Sequence, residues 1–123
     1  MRIVAAMLMA TLALTGCVED RVPPPPGAAS STAGEPVVVE ISIRQGSIDP
    51  QGERVQVAVG QDVTLRVTSD AAEEFHVHSD PERIYRVEPG GVLQKTFSID
   101  RPGQVAVEAH EFGVTTVTLV VRP

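Results

Sequence analysis

At 123 residues the chain has room for one domain, and its single cysteine excludes an internal disulfide, so any core must be held by apolar packing. A formal net charge of −6, with both signs scattered, excludes the basic footprint of a nucleic-acid binder and the Lys/Arg cluster that draws a protein to anionic lipid. Part of the length goes to segments that do not read as foldable, and a domain below about 100 residues buries only a modest share of its surface.

The chain opens with Arg2 and then an apolar run: Ile3, Val4, Ala5, Ala6, Met7, Leu8, Met9, Ala10, Leu12, Ala13 and Leu14. This is shorter than the roughly 20 apolar residues of a membrane-spanning helix. It matches the apolar stretch of a signal peptide. The run ends in Leu14-Thr15-Gly16-Cys17, which resembles the bacterial lipobox. The resemblance implies a signal peptide over 1–16, removed on export, and a diacylglycerol on the Cys17 sulfur. Two or more acyl chains anchor stably where one binds only marginally. The expected location is therefore extracytoplasmic, with the protein held on the cell membrane or outer membrane by its N-terminal lipid.

Residues 17–36 carry four consecutive prolines, Pro23 to Pro26, and then small polar residues from Gly27 to Gly34. The prolines favour extended polyproline II, and the rest offers no apolar face to bury. This segment reads as a disordered tether that supplies reach.

Residues 37–123 have a different texture. Short β-branched runs alternate at period two: Val37 to Ile43, Val55 to Val59, Val63 to Val67, Phe75 to His78, Ile84 to Val87, Val92 to Ile99, Val105 to Val107 and Val114 to Val121. Alternation with β-branched enrichment marks half-buried strands. Turn residues separate them, including Asp49-Pro50-Gln51-Gly52, Gly60-Gln61-Asp62, Pro89-Gly90-Gly91 and Arg101-Pro102-Gly103. The pattern predicts an all-β antiparallel sandwich of about seven to eight strands. Phe75 and Phe97 are predicted core residues, and Tyr85 a hydrogen-bonding corner residue.

The order of signals resembles a cupredoxin with Greek-key topology. Ile48-Asp49-Pro50 leads to a strand ending in Gly60-Gln61-Asp62-Val63. His76 matches the first copper histidine, and Asp100-Arg101-Pro102-Gly103-Gln104-Val105 resembles the approach to the copper cysteine. The pattern is closest to cupredoxin-like lipoproteins and EfeO-type domains that lack a type 1 site. Where the cysteine would fall, the chain reads Glu108-Ala109-His110-Glu111. No cysteine follows Cys17 and no methionine follows Met9. A blue-copper site requires a thiolate and two imidazoles, so there is no copper thiolate and electron carriage is not expected.

All three histidines, His76, His78 and His110, fall in this region. His76 and His78 are two apart on a predicted strand and so share a face, leaving Phe75 and Val77 to the core. One reading is a site for Cu(II) or Zn(II) built from these imidazoles and a carboxylate, with Glu111 as the nearest candidate. The other is a polar surface cluster in which the histidines hydrogen-bond to carboxylates or turn carbonyls. No nucleophile elbow, phosphate loop or paired acid and base accompanies them, so no enzymatic activity is expected. The sequence thus reads as a monomeric, exported binding module that recognises a protein or another component of the cell envelope. A metal-handling role through His76, His78 and His110 is the alternative, as EfeO-type resemblance would imply for copper, zinc or iron.

Overall fold

The computed structural model describes residues 34–123. The 1–16 leader, Cys17 and all but the last three residues of the 17–36 tether lie outside the described residues. From Val37 onward the chain forms nine strands: β1 (Val37–Arg44), β2 (Ser47–Asp49), β3 (Glu53–Ala58), β4 (Val63–Ser69), β5 (Glu73–Val77), β6 (Arg83–Val87), β7 (Val92–Phe97), β8 (Gly103–Ala109) and β9 (Val114–Arg122). They build two sheets, ordered β2-β1-β4-β7 and β3-β9-β8-β5-β6. The expected all-β sandwich is what the chain forms.

Its finer wiring adds two features. One is a ninth strand. Arg44 pairs with Ser47 across the two-residue turn Gln45-Gly46, and both turn residues have positive φ, 52° and 74°. That is the signature of a type I′ hairpin, whose twist matches the flanking strands. Gln45 is an unusual occupant for such a position, and its N–H is held by Asp70 Oδ2 at 2.7 Å. The other feature is mixed pairing. β1 runs parallel to β4 and β3 parallel to β9, while the remaining ladders are antiparallel. Strand direction depends on crossovers between distant segments, which period-two alternation does not encode.

The core lies between the sheets. Val39, Ile41 and Ile43 of β1, Val63, Leu65 and Val67 of β4, and Leu93 and Phe97 of β7 face Phe75, Val77, Val107, Val117 and Leu119 of the other sheet. Phe75 and Phe97 are both buried, as expected. Tyr85 is half-buried, and its ring packs 6.3 Å from that of Phe97. It closes the edge of the core and makes no corner hydrogen bond among the described residues.

A bulge between β8 and β9 sets the geometry near the histidines. Val107 pairs with Val117 but Glu108 pairs with Thr115, so Thr116 is the extra residue. Consecutive burial of Thr116 and Val117 marks the change of phase. The Thr116 hydroxyl, in a fully buried residue, donates to the Val107 carbonyl at 2.8 Å and so finds its own partner inside the core.

At the opposite end, Gln61 ties down the start of the domain. Its side chain accepts from the Ala58 N–H at 2.8 Å and donates to the Glu35 carbonyl at 2.6 Å. The Val37 N–H adds a bond to the Asp62 carbonyl at 2.8 Å.

Candidate functional site

Strand β5 buries Phe75 and Val77 and turns His76 and His78 outward, because successive side chains point to opposite faces. The strand is internal to its sheet, between β8 and β6. Its outward residues therefore meet those of both neighbours: Glu108 lies directly opposite His76 on β8, and Ile84 opposite it on β6.

His110 follows Ala109, the last residue of β8. The His110–Gly113 turn is closed by the Gly113 N–H on the His110 carbonyl at 3.1 Å, with Gly113 at φ 63°. The His110 N–H donates to the Glu74 carbonyl at 2.9 Å. This continues the β5–β8 ladder by one residue and lays the His110 ring on that of His76. The two rings stack with centroids 5.2 Å apart and planes 18° apart. His78 sits on the other side of His76, with centroids 6.2 Å apart. All three predicted imidazoles thus converge. They do so on the outer face of the five-stranded sheet, away from the sandwich interior, because the alternation that buries Phe75 and Val77 leaves no inward position for His76.

Carboxylates frame the row. His76 Nε2 is 2.7 Å from Glu74 Oε1. Its Nδ1 is 3.6 Å from Glu82 Oε1, which is also 3.7 Å from His78 Nδ1. His78 Nε2 is 3.0 Å from Glu108 Oε2. The second oxygen of Glu74 takes the Arg86 guanidinium. The hydrogen bond to Glu74 raises the pKa of His76 above its ordinary 6.5; desolvation opposes this and Glu82 adds to it. The same bond is the largest cause holding Glu74 below its usual 4.5, with burial opposing and Arg86 helping.

Both ring nitrogens of His76 and of His78 therefore face carboxylate oxygens rather than a shared point. A metal held by several imidazoles needs each nitrogen about 2.0–2.1 Å from the ion. Among the described residues no group of three or more His, Cys, Asp or Glu stands ready to hold one. The arrangement is a row of imidazoles interleaved with carboxylates. Its ring nitrogens and carboxylate oxygens are placed to share protons.

Glu111 does not join the row. Its backbone N–H donates to Glu73 Oε1 at 2.8 Å, and it lines a separate pocket with Glu73, Glu74, Arg86 and Glu88. Sequence spacing placed Glu111 beside His110. The tight turn after β8 then sends the two residues to different surfaces. Glu82, by contrast, received no role from the sequence. Its distance of four residues from His78 becomes a contact only because the chain doubles back between β5 and β6.

No family model matches the sequence. No curated protein matches it either. Solved structures do match its fold. Auracyanin A, a "blue" copper protein from Chloroflexus aurantiacus, superposes with a TM-score of 0.55 at 14% identity, over 72% of this chain and 100% of that one. The metal-binding domain of the Cu(I)-exporting P-type ATPase CopA of Streptococcus pneumoniae gives 0.57 at 10% identity, over 76% of this chain and 92% of that one. A blue copper oxidase from Nitrosomonas europaea gives 0.57 at 18% identity, over 72% of this chain and 39% of that one. A laccase from Pediococcus acidilactici is matched over only 27% of its length, so the chain spans well under half of either oxidase. At these identities the likeness bears on architecture alone: residues 34–123 form a cupredoxin-like β-sandwich.

Proposed function

We propose that this chain is an exported, lipid-anchored cupredoxin-like binding module of the cell envelope, and that it neither carries electrons nor catalyses a reaction. One observation carries the reading. Strand β8, which the cupredoxin resemblance aligns with the approach to the copper cysteine, ends in Ala109, whose side chain is fully buried and offers no donor. With no cysteine after residue 17, the sandwich has no thiolate to couple a metal to an electron partner. The apolar leader and Leu14-Thr15-Gly16-Cys17 support export and acylation. The test has two arms. Mass spectrometry of the membrane fraction should find an acylated Cys17 at the N-terminus, and Cys17→Ser should release the protein from membranes. Copper added to the purified protein should give no intense thiolate-to-copper absorption. An unprocessed N-terminus ends the first claim, and a strong charge-transfer band ends the second.

A second reading is favoured by the convergence of His76, His78 and His110. In it the imidazole row takes up Cu(II) or Zn(II), with the carboxylates as exchangeable partners. Metal titration of the wild type against His76→Ala and His110→Ala tests it. Saturable binding lost in both variants supports a metal-handling role; absent or unchanged binding ends it.

A further inference from the structure

We propose that the pocket between the start of β5, the end of β6 and the turn after β8 is a site for a hard divalent cation of the calcium type, ligated by Glu73, Glu88 and Glu111. Its three ligands lie outside the histidine row, with Glu74, the partner of His76, lining the pocket between the two.

Glu73 is 3% exposed and is the one charged residue that is buried among the described residues. Its Oε1 accepts two backbone bonds, from the Glu74 N–H at 2.8 Å and the Glu111 N–H at 2.8 Å. Its Oε2 is buried with no hydrogen-bond partner. A buried carboxylate oxygen without a donor is strongly disfavoured unless a cation, a proton or an ordered water compensates it, and among these the carboxylate-lined pocket beside it favours a cation. The residue lines a pocket with Ala72, Glu74, Arg86, Val87, Glu88 and Glu111. Arg86 is the one cation in that lining, and Glu74 already engages it. The side chains of Glu88 and Glu111 make no ion pair or hydrogen bond among the described residues. Glu73, Glu88 and Glu111 thus line one pocket, and none of the three has a cationic partner among the described residues.

The donor set decides the class of ion. Every free ligand is a carboxylate oxygen, and no sulfur or imidazole lines the pocket. Oxygen-only donors suit hard cations. Calcium tolerates irregular geometry and completes its shell with water, whereas magnesium demands a near-ideal octahedron. No three ligands stand preassembled, so the ion would draw in the two exposed side chains, Glu88 and Glu111, around the fixed Glu73. The pocket lies opposite the end where Val37 enters the fold. Ile43, at the far end of β1, accepts from the Asp70 N–H, just before β5 begins at Glu73.

Calorimetric titration of the full chain carrying Cys17→Ser with calcium chloride is the test. A saturable single site is expected, weakened about tenfold or more by Glu73→Gln and again by Glu88→Gln or Glu111→Gln, since each removes a charged ligand. Gln at position 73 keeps an acceptor for both backbone N–H groups, and positions 88 and 111 are exposed, so at least the latter two variants stay folded. The combined variant His76→Ala, His78→Ala, His110→Ala is expected to bind calcium as the wild type does. A flat titration of the folded chain, binding unchanged in the three Glu variants, or binding lost in the histidine variant would each overturn the proposal.

Discussion

Replacing Gln61 by Ala tests how the domain is closed at the end where Val37 enters it. The side chain is 8% exposed and makes two bonds, one from the Ala58 N–H at 2.8 Å and one to the Glu35 carbonyl at 2.6 Å. Each such bond contributes a net ~0.5–1.5 kcal/mol, so losing both costs about 1–3 kcal/mol. For a domain of this size that is a fall in Tm of about 5–20 °C. Urea denaturation gives the same quantity as a shift in midpoint at unchanged slope, because the surface exposed on unfolding stays the same. Amide exchange adds a local readout: the Ala58 N–H loses its acceptor and should lose protection. A stability change below about 0.5 kcal/mol, the range of an ordinary surface substitution, would refute the reasoning. So would unaltered protection of Ala58.

Three further outcomes are expected. Gly91→Ala brings a Cβ to 2.8 Å from the Glu88 carbonyl oxygen and 3.3 Å from Val87 Cγ2, contacts with rigid neighbours, and should destabilise the fold by about 1–3 kcal/mol in chemical denaturation. Thr116→Val keeps the shape but strips the buried hydroxyl from the Val107 carbonyl at the bulge; a loss of about 0.5–1.5 kcal/mol is expected from the lost hydrogen bond, and unchanged stability would refute that role. The His76–Glu74 pair sets a pH window. A raised His76 contributes stability that is full below 6.5 and lost as pH rises through its folded pKa. A lowered Glu74 contributes stability that is full above 4.5 and lost as pH falls through its folded pKa. Both are present between 4.5 and 6.5, and the effect is modest because each side chain is one-fifth exposed. In an NMR titration Glu74→Gln should move the His76 midpoint downward; an unmoved midpoint would rule out the assigned cause.

Eight of the nine strands were legible because burial on one face of a sheet imposes alternation on the residues themselves. Val55-Gln56-Val57 and Val63-Thr64-Leu65 carry it openly, and so does Phe75-His76-Val77-His78. β2 was not, since Ser47–Asp49 holds one apolar residue and its turn uses Gln45 where Asn or Asp would have signalled a hairpin. The shared outward face of His76 and His78 followed from the same alternation. The arrival of His110 beside them depends on the β5–β8 pairing between distant segments, which alternation alone does not encode.

What the amino-acid order determined by itself is local: where the chain alternates, where it turns, and which residue types it lacks, above all a cysteine beyond position 17. What only the folded chain decided is non-local. The parallel pairing of β1 with β4 joins segments about 26 residues apart (Val37 with Val63), and Glu73 reaches the Glu111 N–H across 38 residues. Such contacts form because burying both apolar faces against each other outweighs the entropy of closing long loops. That balance belongs to the whole sandwich, so no stretch of sequence around Glu73 or Glu111 announces the pocket they share.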